Sequence, residues 1–183
     1  MMKDDIARVL LTRKEITERI KEIAKEIHND FGDEKIVMVC ILRGSLYFFA
    51  DLTREIPNFL ELEFMSVSSY GGGTSSSGEV KIVKDLSCAI EGKNVVIVED
   101  IIDTGYTISY LKRILSERRP KKLKVCTLLD KPSRREVEIE GDYVGFTVPN
   151  EFVVGYGLDY DQAYRNYPDV GVLKKEVYTN KKD

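Results

Sequence analysis

Short runs of consecutive apolar residues alternate along this chain with stretches in which apolar residues recur every three or four positions. The first pattern suits strands buried on both faces, and the second suits helices that bury one stripe. Thr12-Arg13-Lys14-Glu15 has the form of a capping box, and Ile16, Ile20, Ile23, Ala24 and Ile27 then make one apolar face that stops at Gly32, which predicts a helix. A strand is predicted over 35–42, a helix over about 45–56 that Pro57 ends, and a strand over 61–68. Gly71 to Gly78 breaks the pattern, and a short strand follows over 79–84. After Gly92-Lys93-Asn94 the run Val95 to Val98 predicts another buried strand, and Ile108, Leu111, Ile114 and Leu115 predict the helix behind it. Pro120 introduces a strand over 122–129, and 143–148 and 171–177 are predicted as strands near the C-terminus. Strands alternating with helices imply a mainly parallel sheet, with no linker or internal repeat.

Composition narrows the class. The 183 residues are 43% hydrophobic, enough for one core and one domain spanning 1–183. Twenty-eight basic and 31 acidic residues leave a net charge of −3, which gives no general attraction for nucleic acid or an anionic membrane. No apolar stretch approaches the length of a spanning helix, and the charged segment Met1 to Arg8 lacks a signal-peptide core, so a cytoplasmic location is expected. Cys40, Cys88 and Cys126 have no metal-binding or redox spacing and are expected as buried free thiols. His28, the only histidine, excludes a histidine-based triad or zinc site.

The chemistry concentrates in Val95 to Thr107. Glu99 and Asp100 follow the strand, Asp103 follows them, and Thr104-Gly105-Tyr106-Thr107 lies where the strand turns into a helix. Free N–H groups at a helix N-terminus favour an anion such as a phosphate. Acids beside a phosphate call for hydroxyls, a proton or a hard cation, and Glu99-Asp100 suits ribose hydroxyls or hydrated magnesium. Asp103 stands next to the phosphate loop in a general-base position, although Asp103 or Thr104 could simply cap the helix. Leu42-Arg43-Gly44-Ser45 forms a second strand-to-helix turn with small residues and one cation.

The segment Glu99-Asp100-Ile101-Ile102-Asp103-Thr104-Gly105 resembles the phosphoribosyl pyrophosphate signature of the type I phosphoribosyltransferases, in the form found in hypoxanthine-guanine phosphoribosyltransferases. Leu42-Arg43-Gly44-Ser45, Ser69-Tyr70, Lys131, Phe152-Val153-Val154-Gly155 and the run from Asp159 to Arg165 resemble further parts of that family in the same order, over about residues 8 to 178. The resemblance implies an α/β fold with a central, mainly parallel sheet flanked by helices. It implies a small hood over the base from about 1–10 and 150–178, and a lid at about 69–80. It also implies a cis peptide between Leu42 and Arg43.

By the same resemblance, Asp103 is the catalytic base, and Asp103, Thr104, Gly105, Tyr106 and Thr107 hold the 5′-phosphate of 5-phosphoribosyl 1-pyrophosphate. Glu99, Asp100 and Asp159 lie on the magnesium side, and Leu42, Arg43, Gly44, Ser69, Tyr70 and Arg165 hold pyrophosphate. Lys131, Phe152, Val153 and Asp159 surround a 6-oxopurine, with Lys131 donating to O6. Family members vary at Tyr106, so its backbone is expected to matter more than its ring. The implied activity is purine salvage: the phosphoribosyl group goes to N9 of hypoxanthine or guanine, with Mg2+ as cofactor and assembly as a dimer or tetramer. A xanthine-preferring enzyme of the same fold is the nearest alternative. A regulator binding RNA through Arg118-Arg119-Pro120-Lys121-Lys122 or Arg134-Arg135 is the alternative from another class.

Overall fold

In this computed structural model residues 2–69 and 80–179 are described. After a short 3-10 turn and strand β1 (Ile6–Leu11), helix α1 (Arg13–Phe31) begins at the capping box the sequence predicts. Glu15 N–H donates to Thr12 Oγ1 at 3.3 Å, and Thr12 N–H donates to Glu15 Oε2 at 2.8 Å, so two otherwise unpaired donors are satisfied reciprocally. The helix ends at Gly32, whose φ of 56° lets its N–H return to His28 O.

Strand β2 (Ile36–Leu42), helix α2 (Leu46–Glu55), strand β3 (Leu60–Ser69), strand β4 (Val80–Lys84) and strand β5 (Asn94–Ile102) follow. Helix α3 (Tyr106–Ser116), strand β6 (Lys122–Asp130) and strand β7 (Tyr143–Thr147) complete the main layer. Its sheet runs β4-β3-β2-β5-β6-β7, parallel throughout except for β4 against β3. Alternation along the central strands explains both cores. Ile36, Met38 and Cys40 of β2 with Val96 and Val98 of β5 join α1 and α2 in one cluster, while Val37, Val39, Ile41, Val95 and Ile97 join Ile108, Leu111 and Leu115 of α3 in the other. All these side chains are buried, which accounts for the unbroken apolar runs in the sequence.

The chain then forms a separate three-stranded antiparallel sheet, in which β9 (Val170–Leu173) lies between β1 and β8 (Val153–Val154). Val9 opposes Gly171 and Val153 opposes Val172. Here the sequence reading needs correction. The strand predicted over 171–177 stops at Leu173, and Lys175–Thr179 forms a short helix, α4, because Lys174 leaves the sheet by donating its N–H to Asp5 O. The β1 strand itself has six residues, all half-buried or exposed and in no clean alternation, so periodicity does not reveal it. Cys40 and Cys126 are buried free thiols as expected, whereas Cys88 is only half-buried. Of the expected lid, Ser69 ends β3 with its backbone paired to Val80, and Tyr70 and Gly71 to Gly78 lie outside the described residues. No described helix is long and apolar enough to cross a membrane.

Replacing Thr12 by Ala removes the reciprocal cap and should lower the unfolding free energy by about 1 kcal/mol, read as a lower urea midpoint with an unchanged slope.

Candidate active site

The C-terminal ends of β2, β5 and β6 open on one edge of the sheet, where a strand-order reversal between β2 and β5 leaves room for a ligand. Two clefts adjoin there, of about 350 Å³ and 750 Å³. Both are lined by Ile101 and Asp103, so Asp103 stands at their junction.

Arg43, Gly44, Glu99, Asp100, Thr104, Gly105, Thr107, Asp159 and Arg165 line the smaller cleft. Gly44 and Gly105 are dictated by contact: a Cβ on Gly44 would overlap the Asp100 carboxylate, and one on Gly105 would strike Ile139 and Val137. Gly105 also has φ 92°. It is the N-cap of α3, and no side chain caps that helix, so neither Asp103 nor Thr104 takes the capping role that the sequence left open. The free N–H groups of the first turn therefore face the loop, as an anion site requires. Tyr106 contributes no lining to this cleft; its phenol bonds the Glu136 carboxylate, which pushes its pKa up. The Leu42–Arg43 peptide is cis, as the resemblance implies.

Glu99 is 7% exposed, and its Oε1 accepts from Asp100 N–H at 3.1 Å. Asp100 Oδ1 accepts from Ile101 N–H at 2.7 Å. Burial pushes both carboxyls above their ordinary range, and the neighbouring Asp100 raises Glu99 further. Among the described residues no ion pair neutralises either acid. Two adjacent carboxylates, one buried and one half-buried, with no paired cation are a fitting donor set for a hard divalent ion such as magnesium. Asp159 is differently placed: Oδ1 pairs with Arg165 at 2.9 Å and Oδ2 accepts from Gln162 N–H at 2.8 Å. It lines the smaller cleft and not the larger one, which separates it from the other residues expected around the purine.

The larger cleft is lined by Lys131, Phe152, Val153, Arg134, Ala7 and Tyr178, among others. Lys131 is 6% exposed, a buried ammonium rather than a solvated surface charge. Its Nζ donates to Glu151 O at 3.0 Å and lies 4.0 Å from Asp103 Oδ2, while burial lowers its pKa. Phe152 is 39% exposed and therefore is not core packing. Its ring stacks on Tyr178 of α4 at 5.0 Å and meets the edge of Tyr160 at 5.6 Å. Asp103 Oδ1 is buried and lies 2.9 Å from Arg134 Nε, an ion pair too poorly aligned to be a hydrogen bond, so that oxygen has no hydrogen-bond donor.

Several contributors escaped the sequence reading. Arg135 donates to Ile102 O at 3.0 Å and Asp103 O at 2.5 Å and pairs with Asp130, so it fixes the backbone that carries Asp103. Only its position shortly after Lys131 could have hinted at this. Gly157 packs so closely on Gly44 O that a Cβ would overlap it, Gln162 bonds Arg43 and Arg165 of the smaller cleft, and Tyr178 lines the larger one; none carries a sequence signal of its own.

A model of the phosphoribosyl transferase domain matches residues 10–161. A hypoxanthine-guanine phosphoribosyltransferase of Bacillus subtilis is 51% identical over 178 residues, covering 97% of this chain and 99% of that protein. The bifunctional protein TilS/HprT of Listeria monocytogenes is also 51% identical over 178 residues, but the chain spans only 28% of its length. A crystal structure of a hypoxanthine phosphoribosyltransferase from Staphylococcus aureus superposes with a TM-score of 0.94 at 49% identity, covering 98% of this chain and 97% of that one.

The buried acids give a signed expectation for pH. For an acid whose pKa is raised in the fold, stability is fullest below the ordinary carboxyl value of 4.5 and is lost as pH rises through the raised one. In metal-free protein, Glu99→Gln should therefore raise the thermal midpoint at about pH 8 and change it little at about pH 4, measured by calorimetry.

Proposed function

The chain belongs to the phosphoribosyl transferase family, and from that premise we propose that it makes purine nucleoside monophosphates from 5-phosphoribosyl 1-pyrophosphate and hypoxanthine or guanine. The observation that carries this reading is the meeting, at a single carboxylate, Asp103, of an anion-and-acid cleft with a larger cleft that presents the Phe152 and Tyr178 rings beside the buried Lys131. On this reading the sugar phosphate lies in the smaller cleft and the base in the larger, so the bond that forms between N9 and C1 lies beside Asp103.

Each residue then has a task. The N–H groups and hydroxyls of Thr104 to Thr107 hold the 5′-phosphate, and Arg43 and Arg165 meet the pyrophosphate. Phe152 offers its exposed face to the purine and Lys131 donates to O6. An adenine amino group at that position is itself a donor and would leave the buried Lys131 unsatisfied, which disfavours adenine. As N9 attacks C1 and the bond to pyrophosphate breaks, Asp103 takes or stabilises the proton at N7. Its unsatisfied buried oxygen suits that acceptor role. Glu99, Asp100 and Asp159 would hold magnesium, which supplies charge neutralisation for the departing pyrophosphate. A lid from Ser69 onward would exclude water from the activated sugar.

We further infer one domain spanning 1–183, with residues 1–10 and 150–178 as a hood over the base. Assembly as a dimer or tetramer is supported by Leu46, Tyr47, Phe59 and Leu62, large apolar side chains left exposed along α2 and β3. The basic pairs give an RNA-binding role no support, because they are already engaged: Arg118 bonds both oxygens of Asp85, Arg119 pairs with Glu91, and Arg134 and Arg135 pair with Asp103 and Asp130.

Hypoxanthine, guanine, xanthine and adenine should be compared with phosphoribosyl pyrophosphate and magnesium, with nucleotide formation as the readout; no product from any 6-oxopurine would end this reading. In the same assay Asp103→Asn should lower kcat by about 10²–10⁴-fold and leave the phosphoribosyl pyrophosphate KM within a few-fold. Unchanged turnover would remove Asp103 from the base role.

A further inference from the structure

Arg43 and Arg165 reach the smaller cleft from the turn after β2 and from the loop after β8, and one oxygen lies between them. Gln162 Oε1 accepts from Arg43 Nη1 at 3.1 Å and from Arg165 Nη2 at 3.2 Å. Arg165 has other anchors, donating to Gly157 O at 2.8 Å and pairing with Asp159. Arg43 has none: among the described residues, Gln162 is the sole hydrogen-bond partner of its exposed side chain.

The backbone that aims this amide is specified with some care. Asp161, Gln162 and Tyr164 have φ of 52°, 64° and 71°, a region that side-chain-bearing residues rarely adopt. Such a bend persists where its surroundings over-determine it. Here Gln162 N–H donates to Asp159 Oδ2, and Tyr160 and Ala163 exchange backbone hydrogen bonds at 3.2 and 3.0 Å across the turn. The amide oxygen is thereby held where two guanidinium groups converge.

The choice of an amide has a physical reason. Two guanidinium groups meant for a polyanion repel each other, and a long exposed arginine left alone samples many rotamers. A carboxylate between them would order both but would also neutralise them and compete with the incoming anion. A neutral carbonyl oxygen orders Arg43 and leaves its charge intact, while Arg165 is the one paired with a carboxylate, Asp159.

We propose that Gln162 is a positioning residue for the pyrophosphate end of the substrate, holding Arg43 beside Arg165 before the anion arrives. This inference rests on the function proposed above. It predicts that the interaction is with one substrate only, since Gln162 does not line the larger cleft.

The test uses the full chain with magnesium, comparing wild type, Gln162→Glu and Gln162→Leu. The KM for phosphoribosyl pyrophosphate and the inhibition constant for pyrophosphate should rise about tenfold in the Glu variant and about threefold in the Leu variant, while the purine KM stays within about twofold. The side chain is exposed, so thermal midpoints should match wild type. Equal pyrophosphate inhibition in all three proteins would overturn the proposal, as would a purine KM that rises in step. Calorimetric titration with magnesium pyrophosphate separates this from the underlying reading. If wild type makes no nucleotide yet binds pyrophosphate more tightly than Gln162→Glu, the enzyme assignment fails and the positioning role stands. Equal binding removes the positioning role whatever the turnover.

Discussion

The Asp100 carboxylate rests directly on the backbone of Gly44, and Gly44 presses its own carbonyl against Gly157. These contacts join the end of β5 to the turn after β2 through a carboxylate, and that turn to the loop after β8 backbone to backbone. Neither glycine admits a Cβ there, so the turn and the loop approach as closely as backbones can. Arg43, the Glu99-Asp100 pair, Asp159 and Arg165 all take their positions from these segments. The buried acids cannot be exchanged for bulkier or more solvated groups without moving the turn that carries Arg43.

The two clefts divide the electrostatics between them. In the smaller one, cations and anions face each other across a space of a few atoms, and two acids are held at an energetic cost by burial. The larger one combines the Phe152 and Tyr178 rings and aliphatic side chains with a mixed charged rim, and holds one buried ammonium, Lys131. A charge in low-dielectric surroundings discriminates strongly between an acceptor and a donor. Asp103 belongs to both environments, and Arg135 secures it from behind through the carbonyl oxygens of Ile102 and Asp103.

Much of the scaffold is legible in the sequence because it follows from local rules. The apolar runs of β2, β5 and β6 are buried on both faces, and the Thr12 cap begins α1 where the residues say it does. The phosphate loop is equally local, a glycine-containing turn between a buried strand and an amphipathic helix. Long-range partners are another matter. The burial of Lys131 is not legible locally, because nothing within a few residues shows that Glu151 and the β8 region close over it. Arg134 and Arg135 read as one basic pair, yet they serve different partners in the fold. Gln162 gains its place only when a segment 119 residues earlier folds against it. Strand β1 lacks a period because it is half-buried or exposed along its length, and β8, with two residues, is too short to show one.

That small sheet has a temporal consequence. Its central strand, β9, hydrogen-bonds to β1 on one side and β8 on the other, so residues 6–11 wait for residues 170–173. Chains are synthesised from the N-terminus and begin to fold as they emerge. Every segment that meets at Gly44 and Asp100, apart from the loop carrying Gly157, is translated well before β9. The acid-and-phosphate cleft can thus take shape on the ribosome while the first strand is still unpaired. The aromatic wall comes last, because Tyr178 follows β9 and completes the stack on Phe152.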